Sequence, residues 1–428
     1  MLNKEISILW LRRDLRLEDN TALNAALKSP YPVLVIFIFD EELINELPKN
    51  DARVSFIYKR LKYLNSLLHT KNSSLYCFKG KVLNVWDNLL NSYNIKSVYL
   101  NRDYEPYAIH RDNDVRQLLE SKAISLFSFK DHVQFEAHEV LKNDGTPYTV
   151  YTPYKNKWIS KFKLTLPYTC PINNFVQLKV NFPTLDSLGF ESSSIDVPPF
   201  QIDNLSNYET NRNIPSLNST SKLGPHLRFG TVSIRSIISK IFENTIFLNE
   251  LIWREFFIQI LVHFPKVVHQ NFKRKYNGIR WRNNIEDFEL WKSGKTGYPL
   301  VDAGMRELNA TGFMQNRTRM ITAGFLCKHL LIDWKWGEAY FAEKLLDYEL
   351  ASNNGNWQWS AGTGCDAAPY FRIFNPTAQL KKFDAKLNYV NKWIPELNEL
   401  TYPTPIVEHN FARKRAIETY KQGLEQYN

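Results

Sequence analysis

Residues 347–376, DYELASNNGNWQWSAGTGCDAAPYFRIFNP, concentrate side chains able to hold a flat ligand. Two amides adjoin at Asn353 and Asn354, two indoles alternate at Trp357 and Trp359, and glycines stand at 355, 362 and 364. Glycine lets a backbone approach a ligand closely, carboxamides donate or accept inside a pocket, and indoles offer stacking faces. The mixture suits neither helix nor strand, so the stretch reads as a loop. It is either a binding loop or the solvated edge of a Trp-rich helical core. Glu250 and Trp253 lie three residues apart, which puts them on one helical face. Asn316 and Met320, at i and i+4, share another. A carboxylate beside an indole suits a polar ligand or a partly buried core pair. Thr220 and residues 221–233, SKLGPHLRFGTVS, set hydroxyls and backbone N–H groups ahead of a helix, which serves a phosphate or plain capping.

The elements that must carry these groups differ between the two parts of the chain. Residues 5–130 alternate apolar runs (6–11, 32–39, 74–78, 97–100, 125–129) with amphipathic stretches (20–27, 52–68, 82–92, 108–121). That alternation predicts a parallel α/β sheet covered by helices on both faces. No G-x-G-x-x-G follows the first strand, so a standard dinucleotide site is not expected, although the sheet offers a crevice at its strand ends. Pro, Asn and Ser clusters over 130–205 read as a long connection. Helical periodicity dominates from residue 208, over 232–242, 247–262, 300–309, 315–332 and 338–350, and a short charged helix follows Pro405.

Composition bounds the function. With 44% hydrophobic and 23% charged residues, this is an ordinary globular chain large enough for two cores. No apolar run reaches about 18 residues and no signal-peptide pattern opens it, so no membrane contact and a cytoplasmic location are expected. Four scattered cysteines (77, 170, 327, 365) without CxxC spacing read as reduced thiols, with no metal site. Of the net +10, residues 1–200 carry 25 basic and 22 acidic side chains, and residues 201–428 carry 29 and 22 along with eight of the eleven tryptophans. Cations mixed with aromatics suit a polyanion bearing stackable bases, and equally plain solubility.

The order NNGNWQWSAGTGCDAAPYFRIFNP resembles the flavin-domain signature of the photolyase/cryptochrome family, and ILWLRRDLRLEDN (residues 8–20) resembles its amino-terminal signature. The likeness runs from about residue 5 to the end of the sequence and is closest to class I cyclobutane pyrimidine dimer photolyases. It implies a Rossmann-like α/β antenna domain over 1–130, a connection over 131–205, and an all-α domain over 206–428 that binds FAD and the DNA lesion. By the same resemblance, Tyr208, Thr220, Ser221, Lys222, Leu223, Gly224, Arg254, Arg319, Asp347, Glu349 and Asn353 hold FAD. Arg319 and Asp347 match a salt-bridged pair beside the isoalloxazine, and Asn353 matches the residue facing flavin N5. Lys222 stands where the family often has Arg, and Glu349 where it commonly has Asp. Glu250 matches the acid that hydrogen-bonds the damaged pyrimidines, while Trp253 and Trp359 match rings stacking on either side of them. Arg212, Arg317, Arg372 and Gln379 match residues contacting the strand. Photolyases are among the enzymes known to take their target out of the stack. Trp357, Trp334 and Trp281 match an electron relay from flavin to surface.

The resemblance implies light-dependent repair of cyclobutane pyrimidine dimers by an electron from photoexcited reduced FAD. Alternatives are a blue-light receptor of cryptochrome type and a (6-4) photolyase. Asn353, where plant cryptochromes carry Asp, opposes the first. Asn316 and Met320, where (6-4) photolyases carry histidines, oppose the second, and DASH-type relatives have Tyr in place of Trp359. Damaged DNA is the expected partner, the chain acting as a monomer without an obligate protein partner. A second, antenna chromophore is expected in the α/β domain. Glu105 matches a folate-contacting acid of some relatives, but Val268 and His269 replace the Cys-Lys pair found there, against folate. The acid-free run 271–284, with Lys273, Arg274, Lys275, Arg280 and Arg282, serves DNA phosphates or a solvated face.

Overall fold

A computed structural model describes residues 4–171, 173–203 and 205–426. The chain forms two compact units with interleaved segments. One comprises Met1–Glu139, Lys161–Pro199 and Leu223–Glu243, the other Val140–Ser160, Phe200–Lys222 and Asn244–Asn428.

In the first unit, five strands, β1 (Glu5–Leu11), β2 (Val33–Asp40), β3 (Leu75–Gly80), β4 (Asn94–Asn101) and β5 (Ser125–Phe129), pair in parallel in the order β3-β2-β1-β4-β5. Successive side chains point to opposite faces. Leu9, Leu11, Val33, Val35, Phe37 and Phe39 accordingly enter one core cluster, and Ile8, Trp10, Leu34, Ile36 and Ile38 the other. Burial on both faces is why these strands read as unbroken apolar runs. Helices Thr21–Ala26, Ala52–His69, Val82–Ser92 and Pro106–Glu120 lie where periodicity places them. Asn20 and Asp51 cap the first two by accepting backbone N–H groups.

The RRDLRLEDN segment supplies a buried charge network. Arg16 pairs with Asp131, Arg235 donates to Asp131 at 2.8 Å and to Asp19 at 3.0 Å, and Ser233 donates to Asp19. Burial works to raise the Asp131 carboxyl, but the Arg16 and Arg235 guanidinium groups outweigh it and hold it below the usual range. This network binds Leu223–Glu243 into the α/β unit, whereas the sequence placed it in the carboxy-terminal domain. Apolar periodicity on the helix Ile234–Ile241 reveals a buried face but not which core buries it. Residues 131–205, expected as a connection, are divided between both units. They include a helix, Tyr151–Lys161, whose Tyr151, Tyr154 and Trp158 are buried. Pro153 lies in its first turn, where no intrahelical N–H is required.

The second unit is helical and is organised by Thr245–His263, Pro299–Thr311, Asn316–Gly324, Trp334–Lys344 and Leu350–Ala361. The helix expected over 315–332 becomes a π-helical turn at Phe325–Leu330 and stops at Leu331, which takes a left-handed conformation (φ 52°). The helix expected over 338–350 instead starts at Trp334, capped by Asp333, and ends at Lys344.

Of the stretch 347–376 expected as a loop, the part beyond Gly362 is irregular up to the helix that starts at Pro376, but Leu350–Ala361 is instead a helix, closed by Gly362 at φ 85°. Its odd composition serves three neighbours. Asn354 and Gln358, at i and i+4, both donate to the Val267 carbonyl, at 3.1 and 3.0 Å. Gly355 meets the Phe257 ring, where an added Cβ would fall 2.1 Å from a ring carbon. Asn353 and Trp357, on another i, i+4 row, face the helix Trp334–Lys344. Tertiary contacts thus override weak intrinsic propensity. Among the described residues no helix is long and apolar enough to cross a membrane.

Candidate functional site

The helix Thr245–His263 carries Glu250, Trp253 and Arg254, and crosses the helix Leu350–Ala361 at the Phe257–Gly355 contact. Glu250 Oε1 accepts Arg212 Nη1, while its Oε2 accepts nothing among the described residues. Tyr208 and Tyr151 lie nearby. Burial and then the Glu250 charge push the Tyr208 hydroxyl up to about 12, and the same two causes raise Tyr151. The Trp253 indole stacks on Tyr151, centroids 3.6 Å apart and planes 7° apart, so one of its faces is already covered. Trp359 differs: it is half-buried and stacks on no aromatic ring among the described residues. It shares a small pocket with Met320, Arg372, Gly324, Lys328 and Phe374. Asn316, one turn before Met320, is exposed.

Arg319 and Asp347 form a two-bond ion pair (3.1 and 2.9 Å), with Arg319 Nε held by the Met314 carbonyl at 2.7 Å. Forked guanidinium–carboxylate geometry fixes both planes. Arg254 pairs with the buried Glu349 at 2.8 Å, and Ser352 donates to the second Glu349 oxygen. Asn353 Nδ2 donates to the Glu338 carbonyl oxygen (3.0 Å) and carboxylate (3.1 Å), leaving its Oδ1 without a donor among the described residues. Burial pushes the Glu338 carboxyl up to about 7, with the Asn353 hydrogen bond working the other way. The Lys222 ammonium lies 3.2 Å from the Phe313 centroid, and burial pushes it down to about 8. A fixed guanidinium, a half-buried ammonium and an amide with an open acceptor fit an anionic cofactor with a polar flat ring.

The phosphate-type segment divides, since Thr220, Ser221 and Lys222 belong to the helical unit and Leu223 and Gly224 to the α/β unit. The helix it opens, Gly224–Arg228, has only five residues, so its dipole is slight. Arg317 donates to Asn213 at 2.7 Å and lies over Phe383. Arg372 is exposed, and Gln379 stands on the helix Pro376–Phe383. From the basic run, Arg282 is engaged with Asp287 at 3.0 Å and with the Leu330 carbonyl, while Arg274, Lys275 and Arg280 are exposed.

Trp357, Trp334 and a partly buried Trp281 join one packed cluster. Gly337, one turn past Trp334, makes room for the Trp357 ring, which an added Cβ would approach to 2.1 Å. Trp334 Nε1 donates to Asn271 Oδ1 at 2.8 Å, and Trp281 meets Tyr420 edge-on at 5.8 Å.

Sequence reasoning missed Tyr151, Glu338 and Lys328. Tyr151 lies about a hundred positions before its partner, in a stretch read as connection. Glu338 was legible, since Trp334, Glu338 and Phe341 recur at i, i+4 and i+7. Lys328, whose Nζ donates to the Ala361 carbonyl at 2.6 Å, gives no local signal.

In the α/β unit, Glu42, Lys81, Tyr107, His110, Arg111 and Asp114 line a second pocket just beyond the carboxyl ends of β2, β3 and β4. Glu105 accepts from Arg228 and Arg13.

Residues 7–171 match the family model for DNA photolyase, and residues 247–401 that for the FAD binding domain of DNA photolyase. The deoxyribodipyrimidine photo-lyase of Vibrio cholerae is 34% identical, over 97% of this chain and 99% of that protein. Among solved structures, a class III photolyase from Agrobacterium tumefaciens superimposes with a TM-score of 0.90 at 32% identity, covering 99% of each chain. A photolyase from Sulfolobus tokodaii, solved with two FAD molecules, gives 0.86 at 35% identity over 97% of this chain and 99% of that one. A cryptochrome from Synechocystis gives 0.84 at 25% identity over 98% and 100%.

Proposed function

The chain belongs to the DNA photolyase family, and from that premise we propose that it repairs cyclobutane pyrimidine dimers in DNA under blue or near-ultraviolet light. Reduced FAD supplies the chemistry, an electron lent on excitation and recovered once the two ring bonds have opened. The protein binds, orients and tunes. Arg319–Asp347, Lys222 and Arg254–Glu349 hold the cofactor, and Asn353 presents its open Oδ1 to the flavin ring. Glu250 Oε2 accepts an N–H from an everted pyrimidine, while Arg212 steadies the carboxylate from behind. Trp359 offers a bare face for stacking, with Met320 and Arg372 beside it. Electron transfer, unlike acid–base catalysis, needs no histidine there, and positions 316 and 320 hold Asn and Met.

One observation carries the reading. On two helices that cross in contact, Glu250 Oε2 and Asn353 Oδ1 accept nothing and Trp359 stacks on no aromatic ring among the described residues, which leaves a carboxylate oxygen, an amide oxygen and an indole face open to a ligand. The two FAD molecules of the Sulfolobus relative support a second chromophore, which we assign to the pocket at the strand ends. The test is an absorption spectrum of purified protein with reductant, before and after illumination with a thymine-dimer oligonucleotide. Flavin bands and light-dependent loss of the dimer are expected. A flavin that photoreduces while the protein neither binds nor repairs the dimer overturns the reading in favour of a photoreceptor.

A further inference from the structure

The relay residue Trp334 is 1% exposed, so bulk water does not reach its indole. Oxidation by one electron turns an indole N–H, normally a very weak acid, into one about as acidic as a carboxylic acid. Whatever faces that N–H decides whether the proton leaves, which traps the hole as a neutral radical, or stays, which lets the hole move on. The group that faces it is Asn271 Oδ1, at 2.8 Å. A carboxamide oxygen accepts a hydrogen bond but is too weak a base to take the proton. Its orientation is fixed from the other end, because Asn271 Nδ2 donates to Asn277 Oδ1 at 2.9 Å. The segment is fixed as well. Phe272 N donates to Gln358 Oε1 at 2.8 Å and Lys273 N to the Thr363 carbonyl at 3.0 Å, which ties Asn271 to the helix bearing Trp357. Other charges near the ring are unsuited to the proton. Lys335 is a cation 6.0 Å from the centroid, and Asp333, whose Oδ1 caps the helix through the Lys335 backbone N–H, accepts no hydrogen bond from the indole, whose N–H goes to Asn271.

We propose that Asn271 is a positioning residue of the electron relay, keeping the oxidised Trp334 protonated so that its hole leaves by electron transfer alone. This rests on the photolyase reading above. In sequence, Trp357 gives an electron to the photoexcited oxidised flavin, Trp334 refills Trp357, and Trp281 refills Trp334. No bond to hydrogen breaks at Trp334. The proton is released only at the partly exposed Trp281, where a thiol in solution returns one electron and one proton.

The test uses the FAD-loaded, oxidised protein, flashed in H2O and in D2O, with Asn271→Asp, Asn271→Leu and Trp334→Phe variants. The wild type should show a protonated Trp334 radical, with no solvent isotope effect on the step to Trp281. Asn271→Asp, isosteric but basic, should give the neutral radical at Trp334, an isotope effect, and a long-lived Trp281 radical reduced about tenfold or more. In the dark, the Trp334 indole N–H resonance should persist downfield in Asn271→Asp and shift upfield in Asn271→Leu, a readout independent of flavin. Identical radical spectra and yields in wild type and Asn271→Asp, with Trp334→Phe blocking photoreduction, would overturn the role of Asn271 alone. Photoreduction untouched in Trp334→Phe would remove the relay reading and this proposal together.

Discussion

The charged groups of the α/β unit and those of the helical cleft have opposite habits. Asp131, Asp19 and Arg16 are buried and pair with one another and with a half-buried Arg235; each carboxylate meets guanidinium, hydroxyl or backbone donors, and only Arg16 Nε lacks a partner among the described residues of the network. In the cleft, Glu250 and Asn353 each keep an oxygen in reserve, and the half-buried Glu338 pairs with no cation among the described residues. Saturated charge locks segments distant in sequence, here residues 14–19, 131 and 233–235. Oxygens left open mark where, on the proposed reading, a ligand completes the arrangement. Residues of one chemical type thus serve architecture in one unit and, on the proposed reading, recognition in the other.

The sharpest way to break that contrast is Arg16→Leu. It removes one partner of a buried pair and should destabilise the protein by about 3–5 kcal/mol in denaturant titrations. A loss below about 1 kcal/mol would mean the network is ornamental. Glu338→Gln comes next. Because burial raises the folded carboxyl to about 7 from 4.5, the folded state holds the proton more tightly, and the wild type loses stability as pH climbs through that window. Glutamine cannot ionise. The variant should therefore gain on the wild type between pH 5 and 8, by on the order of 2–3 kcal/mol. A difference that stays flat with pH would place Glu338 among the satisfied groups.

Trp359→Ala should leave folding within about 1 kcal/mol but weaken binding of dimer-containing DNA by about 1–2 kcal/mol in equilibrium titrations. Equal loss of affinity for undamaged DNA would show that the ring does not meet the lesion. Smallest of all, Arg372→Ala should reduce the salt dependence of DNA binding by about one phosphate contact, whereas Arg282→Ala, whose guanidinium is already engaged, should not. Matching slopes for the two would erase the distinction between free and occupied cations.

Much of the fold was legible. The unbroken apolar runs of β1 and β2 and the four helices between the strands follow from local pattern. The candidate site residues came from resemblance more than from spacing. What escaped depends on distant partners. The helix Leu350–Ala361 looked like a loop because its amides and glycines satisfy the Val267 carbonyl, Phe257 and Glu338 instead of propensity scales. Allegiance of residues 223–243 to the α/β unit turns on Arg235 meeting Asp19 and Asp131, more than a hundred positions away. Tyr151 could not be tied to Trp253 from sequence, since stacking leaves no periodic trace.

Gly337 has a consequence beyond packing. Tunnelling falls off exponentially with separation, so in the proposed relay the gap between the helix at Trp334 and the Trp357 ring would act as an insulator whose thickness is set by a missing side chain. One methyl group there, 2.1 Å from the indole, would have to push the two conductors apart. If the relay operates as proposed, the chain keeps its wiring short at this crossing by leaving an atom out.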